Sequence, residues 1–153
     1  MNNSDIHRAS GTKSFLDLAR HPLNLLGIGD DNPTVDISWL RQGVPVVVAC
    51  FLRQGEPYRL GRLVLQAESF NPITWEHYRF LRGYKPERSL HPPFEVRNVG
   101  PVVGPGSWNV DKLLFKALSL SAGSETAELA VPAKDLEFLA RAVELLNESS
   151  PSR

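Results

Sequence analysis

The sequence predicts a mainly β fold of the α+β class, an antiparallel sheet of six to seven strands closed by one C-terminal amphipathic helix. Three observations predict it. Residues 44–65, VPVVVACFLRQGEPYRLGRLVL, read as two strands around a tight turn. Four further segments of strand composition follow before residue 132, separated by turns rich in Gly, Pro, Asn and Ser. The chain then carries an apolar stripe of Leu136, Leu139, Val143 and Leu146, spaced three, four and three residues apart and widened by Phe138, Ala142 and Leu145.

In the first strand Val44, Val46, Val47, Val48, Phe51 and Leu52 form a dense apolar run without helical spacing, the pattern of a strand covered on both faces. Pro45 has no N–H for a ladder and belongs at the strand's start. Gln54-Gly55-Glu56-Pro57 supplies the turn. In the second strand Tyr58, Leu60, Arg62 and Val64 alternate with Arg59, Gly61, Leu63 and Leu65, and Gly61 marks a bulge or a close backbone approach. Ile73–Phe80 is a third strand, with Ile73, Trp75, His77 and Arg79 on one face and Thr74, Glu76, Tyr78 and Phe80 on the other. Residues 81–93, LRGYKPERSLHPP, read as a long basic loop. Phe94–Val103 is a fourth strand. Leu113–Leu120 and Glu125–Val131 make a second hairpin around Ser121–Ser124; Leu113–Leu120 also fits a helix, but the turn and the following alternation favour strand. The closing helix spans Ala133–Asn147, with Pro132 at its entrance, Asp135 favourable to its N-terminal dipole, and Glu137 and Arg141 paired at i, i+4.

Ahead of the sheet, Met1–Ser14 is polar and reads as disordered. Ser14–Arg20 suits two helical turns that stop before His21-Pro22. A mostly apolar stretch runs to Ile28, and Asp36–Gly43 reads as a short helix anchored by Trp39. The domain reading is an N-terminal arm over 1–34, partly disordered, a single domain over 35–147, and a disordered tail over 148–153.

Composition excludes several classes. Seventeen basic residues balance seventeen acidic ones, so a dedicated nucleic-acid binder is not expected. The single cysteine, Cys50, excludes an intramolecular disulfide and a cysteine-rich metal site, and its place in the apolar strand makes it a small core residue. The first ten residues lack a signal-peptide apolar region, and the longest apolar run is far below the roughly 18 residues of a membrane helix. A cytoplasmic location follows by default.

Chemical motifs are absent. Gly27-Ile28-Gly29 lacks a third glycine, and Gly104-Pro105-Gly106-Ser107 lacks a Lys-Ser/Thr pair. A calcium loop begun at Asp30 places Val35 where Gly is needed and Arg41 where Glu is needed. His7, His21, His77 and His91 have no metal-ligand spacing. No Gly-x-Ser-x-Gly elbow supports a hydrolase. No cofactor and no metal are expected, and the chain reads as non-enzymatic.

One charge feature stands out. Residues 44–110 carry eight basic and five acidic side chains, whereas both flanks are net acidic. The cations concentrate at Arg79, Arg82, Lys85 and Arg88, with Tyr84 among them.

The stretches CFLRQGEPYRLGRLVL, ITWEHY and ETAELAVPAKDLEFLARAVELL resemble a pleckstrin-homology-like (PH-like) domain over residues 44–147. That resemblance implies a bent antiparallel barrel closed at one end by the helix. The same stretches are similar to a family of actinobacterial proteins with such a domain, whose members begin with a membrane helix that this chain does not show. The fold serves lipid, peptide and protein binding alike, so it does not choose among them.

The expected function is a non-catalytic protein- or peptide-interaction module, a scaffold or adaptor. Its alternatives are a module for an anionic ligand (lipid headgroup, phosphorylated group or nucleic acid) and an enzyme of unspecified type. Two contact elements are expected. One is a partner-facing loop of Arg79, Arg82, Tyr84, Lys85 and Arg88, directed at an acidic protein surface. The other is a docking arm of Phe15, Leu16, Leu18, Leu23, Leu25 and Leu26, which could seat on another protein, or fill a groove between an edge strand and the C-terminal helix in the same chain or in a second copy. Four cations contribute about 4 kcal/mol at a membrane surface, so membrane contact through charge alone is expected to be weak.

Overall fold

The computed structural model describes residues 6–12, 33–53, 58–104, 107 and 110–149. The described residues form eight strands: β1 (His7–Arg8), β2 (Val46–Arg53), β3 (Tyr58–Leu65), β4 (Ile73–Arg79), β5 (Gly83–Leu90), β6 (Phe94–Gly100), β7 (Phe115–Ala122) and β8 (Glu125–Pro132). Helix α1 (Pro33–Arg41) precedes β2, and a 3-10 turn at Ala133–Asp135 leads into α2 (Leu136–Ser149). The turn expected at residues 54–57 and the helix expected at 14–20 lie outside the described residues.

The sheet runs in the order β5-β4-β3-β2-β8-β7-β6, antiparallel throughout, with β1 added parallel to β2. Two local meanders, β2 to β5 and β6 to β8, are joined by the pairing of Phe51, Leu52 and Arg53 with Ala130, Leu129 and Glu128. The antiparallel sheet and its C-terminal helix are as expected. The sheet is not closed into a barrel, because no ladder joins β5 to β6 among the described residues.

The core explains why β2 lacks alternation. Val46, Val48, Cys50 and Leu52 face a large cluster with Leu63, Leu65, Ile73 and Trp75 of the neighbouring strands, Leu129 and Val131 of β8, and Phe138, Leu139, Ala142, Val143 and Leu146 of α2. Phe51 faces the other way, into a smaller cluster with Tyr58, Val102, Val110, Phe115 and Ala130. A strand with apolar partners on both faces gains from an apolar residue at every position. Cys50 is fully buried, and burial pushes its thiol far up, which keeps it protonated and unreactive.

Gly61 is a close approach. A Cβ there would fall on the Glu76 carbonyl oxygen and within 2.8 Å of the Trp75 ring. Gly61→Ala is therefore expected to destabilise the fold by about 1–3 kcal/mol through displacement of β4 from β3. A urea midpoint unchanged from that of the parent protein would show that the pair has room to relax.

Four expectations need correction. Residues 81–93 are not a loop: Gly83–Leu90 is edge strand β5, paired with β4 from Arg79↔Gly83 to Ile73↔Leu90. Its Pro, Lys and Arg content, which reads as loop, is edge-strand chemistry, and a register shift between Trp75 and Glu76 accommodates Pro86. The strand expected over Phe94–Val103 stops at Gly100, before Pro101. In α1, which begins at Pro33, Ile37 and Leu40 make the buried anchor, whereas Trp39 is 40% exposed and stacks on His7 at 5.3 Å. Finally, residues 6–12 are not disordered but strapped along β2.

The strap accounts for two buried acids. His7 N–H donates to the Pro45 carbonyl, Ala9 N–H donates to that of Val47, and Thr12 Oγ1 accepts from Ala49 N–H. Asp36 accepts from Ser10 N–H and Ser10 Oγ, and its Oδ1 lies 2.7 Å from His7 Nε2. Asp135 accepts from Gly11 N–H at 2.6 Å and from Thr12 Oγ1 at 2.7 Å. Both residues are at most 1% exposed. Gly11 is required, since a Cβ there would stand 2.7 Å from Asp135 Oδ1.

Candidate docking surface

The β4–β5 hairpin is built by cross-strand pairing, and its two faces differ. On the core side Leu63 pairs with Trp75 and Gly61 with His77. At the end of that face the aromatic core gives way to charge: Arg59 lies over the Trp75 ring and pairs with Glu87 at 3.1 Å, and His77 Nδ1 is 3.3 Å from the same carboxylate. On the opposite face Arg62 donates to Glu76 at 2.6 Å and covers the Tyr84 ring at 4.0 Å, and Tyr84 meets Tyr78 edge-on at 5.4 Å. Burial pushes the Tyr84 phenol up, partly offset by the Arg62 charge.

The five residues expected to act as one patch are thereby divided. Tyr84 is held under Arg62 in this aromatic stack, and Arg88 reaches across to Glu125 at 3.4 Å. Arg79, Arg82 and Lys85 gather at the hairpin end, and none of the three has an ion-pair partner among the described residues. The Arg79 Nε–H is buried with no acceptor among the described residues. The nearby acids are already engaged, Glu76 by Arg62 and Glu87 by Arg59.

The turn places two apolar side chains among these cations. Arg82 N–H donates to the Arg79 carbonyl at 2.9 Å, closing a four-residue turn over Arg79-Phe80-Leu81-Arg82. Phe80 is 78% exposed and Leu81 87% exposed. Leu81 has φ 64, in the third turn position, where Gly or Asn is ordinarily found. A branched residue held there costs about 1–2 kcal/mol relative to the right-handed well. The sequence reading assigned Phe80 to a strand face and gave Leu81 no role. The signal that could have found them is Arg-Phe-Leu-Arg-Gly, an apolar pair where a hairpin turn needs polar residues.

Relief of that backbone conformation should be measurable. Leu81→Gly is expected to leave the fold intact and raise stability by up to about 1 kcal/mol, because glycine takes positive φ without penalty. A loss of stability in urea melts would mean that the Leu81 side chain has a packing role in the folded chain.

Other candidate surfaces are less defined. The residues expected to form the docking arm, Phe15, Leu16, Leu18, Leu23, Leu25 and Leu26, lie outside the described residues. The groove between edge strand β6 and α2 is closed at Phe94, where the Asn147 amide accepts from the Phe94 N–H and donates to its carbonyl, at 2.7 and 2.9 Å. A groove between α1 and α2 of about 600 Å³ carries both signs of charge, Arg41 and Arg141 with Glu144 and Glu148. The Asp36 carboxylate stands between His7 and Ser10, so the imidazole is not placed to take the Ser10 proton as a hydrolase triad requires. No group of three or more metal-ligating side chains occurs among the described residues, and no helix there is long and apolar enough to cross a membrane. No family model, curated protein or solved structure matches the chain.

Proposed function

We propose that this chain is a non-catalytic interaction module, a PH-like domain that docks through its β4–β5 hairpin onto an acidic counter-surface. The PH-like reading is supported by the two antiparallel meanders joined through β2 and β8 and by the amphipathic α2 packed on one face. The docking reading is carried by a single observation: Phe80 and Leu81 are exposed side by side within a cluster of cations that have no ion-pair partner among the described residues. An internal role would pair the cations or bury the apolar pair.

Magnitudes favour the combination over charge alone. Cations at an acidic membrane surface contribute about 1 kcal/mol each, which leaves three of them at millimolar affinity or weaker. Burial of Phe80 and Leu81 adds about 1.5–3 kcal/mol per side chain and brings the contact toward the micromolar range.

The test is retention on immobilised polyglutamate in a salt series. The parent chain is expected to bind at low salt and to elute as salt rises. Arg82→Glu with Lys85→Glu is expected to abolish retention while leaving stability within about 0.5 kcal/mol, since neither side chain has an ion pair to lose among the described residues. Equal retention of the two proteins would remove the hairpin as the docking element.

A further inference from the structure

The end of the β4–β5 hairpin combines features that together specify the material of its counter-surface. Phe80 and Leu81 are neighbours at the turn, both directed into solvent. Cations stand on both sides of them, Arg79 before and Arg82 and Lys85 after. The acids that would repel an anionic surface, Glu76 and Glu87, are neutralised by Arg62 and Arg59.

We propose that the hairpin is a membrane-interface anchor: Phe80 and Leu81 enter the boundary between headgroups and acyl chains of an anionic bilayer, while Arg79, Arg82 and Lys85 engage lipid phosphates. The inference rests on the docking reading of the hairpin and adds the partner's chemistry. Charge complementarity selects the occupant. A bilayer interface is apolar a few ångströms below a layer of phosphate oxygens, so an apolar pair flanked by cations matches it in depth. The long Lys and Arg side chains keep their charge at the phosphate level while the turn sits deeper. A protein partner would need a pocket shaped to two adjacent side chains; a fluid interface accepts them without one. The positive φ of Leu81 keeps an apolar side chain at the turn against the backbone's own preference, a cost of the kind found at functional sites.

The experiment is sedimentation of the full chain with vesicles of phosphatidylcholine alone and of phosphatidylcholine mixed with phosphatidylserine. The parent chain is expected to partition onto the anionic vesicles at least about tenfold better than onto the neutral ones. Phe80→Ser with Leu81→Ser is expected to lower that partition at least about tenfold, yet to leave retention on polyglutamate unchanged apart from any small apolar contribution. Arg82→Glu with Lys85→Glu is expected to lose both. A Phe80→Trp variant reports depth: its fluorescence, read against the parent's own tryptophans, should shift to the blue with anionic vesicles and be quenched by brominated acyl chains.

Polyglutamate retention without binding to anionic vesicles would overturn the membrane proposal while the docking reading stands. Vesicle binding that survives Phe80→Ser with Leu81→Ser would do the same, leaving a purely electrostatic contact. Failure to bind either probe would overturn both.

Discussion

Leu139→Ala is expected to lower stability by about 2–5 kcal/mol, a fall in melting temperature on the order of 10 °C. Leu139 is fully buried in the cluster that joins α2 to the sheet. Truncation removes three heavy atoms from a site bordered by strands on one side and by its own helix on the other. The surroundings are too constrained to collapse, so a cavity term adds to the lost transfer energy. Glu144→Ala, on the exposed side of the same helix, is the control and should change stability by no more than about 0.5 kcal/mol. Thermal melts of the two variants decide the matter. If they coincide, α2 does not contribute to the core and the closing-helix architecture fails.

The second large effect is a dependence on pH. Burial pushes the Asp135 carboxyl up from 3.8 to about 6; hydrogen bonds from Thr12 and Gly11 oppose the rise, and the nearby Asp36 charge adds to it. Because the folded value lies above the unfolded one, the folded chain holds a proton between about pH 4 and pH 6 that the unfolded chain has released. The contribution of Asp135 to stability is therefore full below about pH 4, falls as pH rises through 6, and is level above it. The change amounts to about 3 kcal/mol. Asp135→Asn should remove it. The Asn oxygen still accepts from Gly11 N–H, and its amide can donate to the second lone pair of Thr12 Oγ1, beside the bond from Ala49 N–H; the Thr12 hydroxyl then loses its acceptor, a cost that does not vary with pH. The measurement is a series of urea midpoints from pH 4 to pH 7 for both proteins, whose difference cancels the titrating groups that do not interact with Asp135. Parallel curves would show that Asp135 ionises in the folded chain as freely as in the unfolded one.

The same site shows where sequence reasoning stops. Elements with local periodicity were legible: the hairpin of β2 and β3, strand β4, the hairpin of β7 and β8, and the stripe of α2 all follow from neighbours two to four residues apart. The two-sided burial of β2 was legible too, since Val46–Leu52 has no polar residue to spare. Gly61 signalled a close approach without naming Trp75 and Glu76 as the atoms that require it. β5 was misread because Gly, Pro and charge have one meaning in a loop and another at a sheet edge, and only the pairing with β4 separates them.

At the candidate site, composition identified Arg79, Arg82 and Lys85 among the basic residues, but it grouped them with Tyr84 and Arg88. Those two side chains differ from the others only in what stands across the sheet from them, Arg62 and Glu125, which are distant in sequence. The strap was invisible for the same reason. Ser10, Gly11 and Thr12 are polar in any local window, and their partners Asp36 and Asp135 lie 26 and 123–124 residues away. By itself the sequence determined what periodicity and side-chain chemistry specify over short range, namely the strands that alternate or are apolar throughout, where the closing helix lies and where cations collect. The tertiary structure alone decided which charges are neutralised, which polar residues are buried and which apolar pair is left in water. Those outcomes depend on desolvation and pairing between segments that only folding brings together.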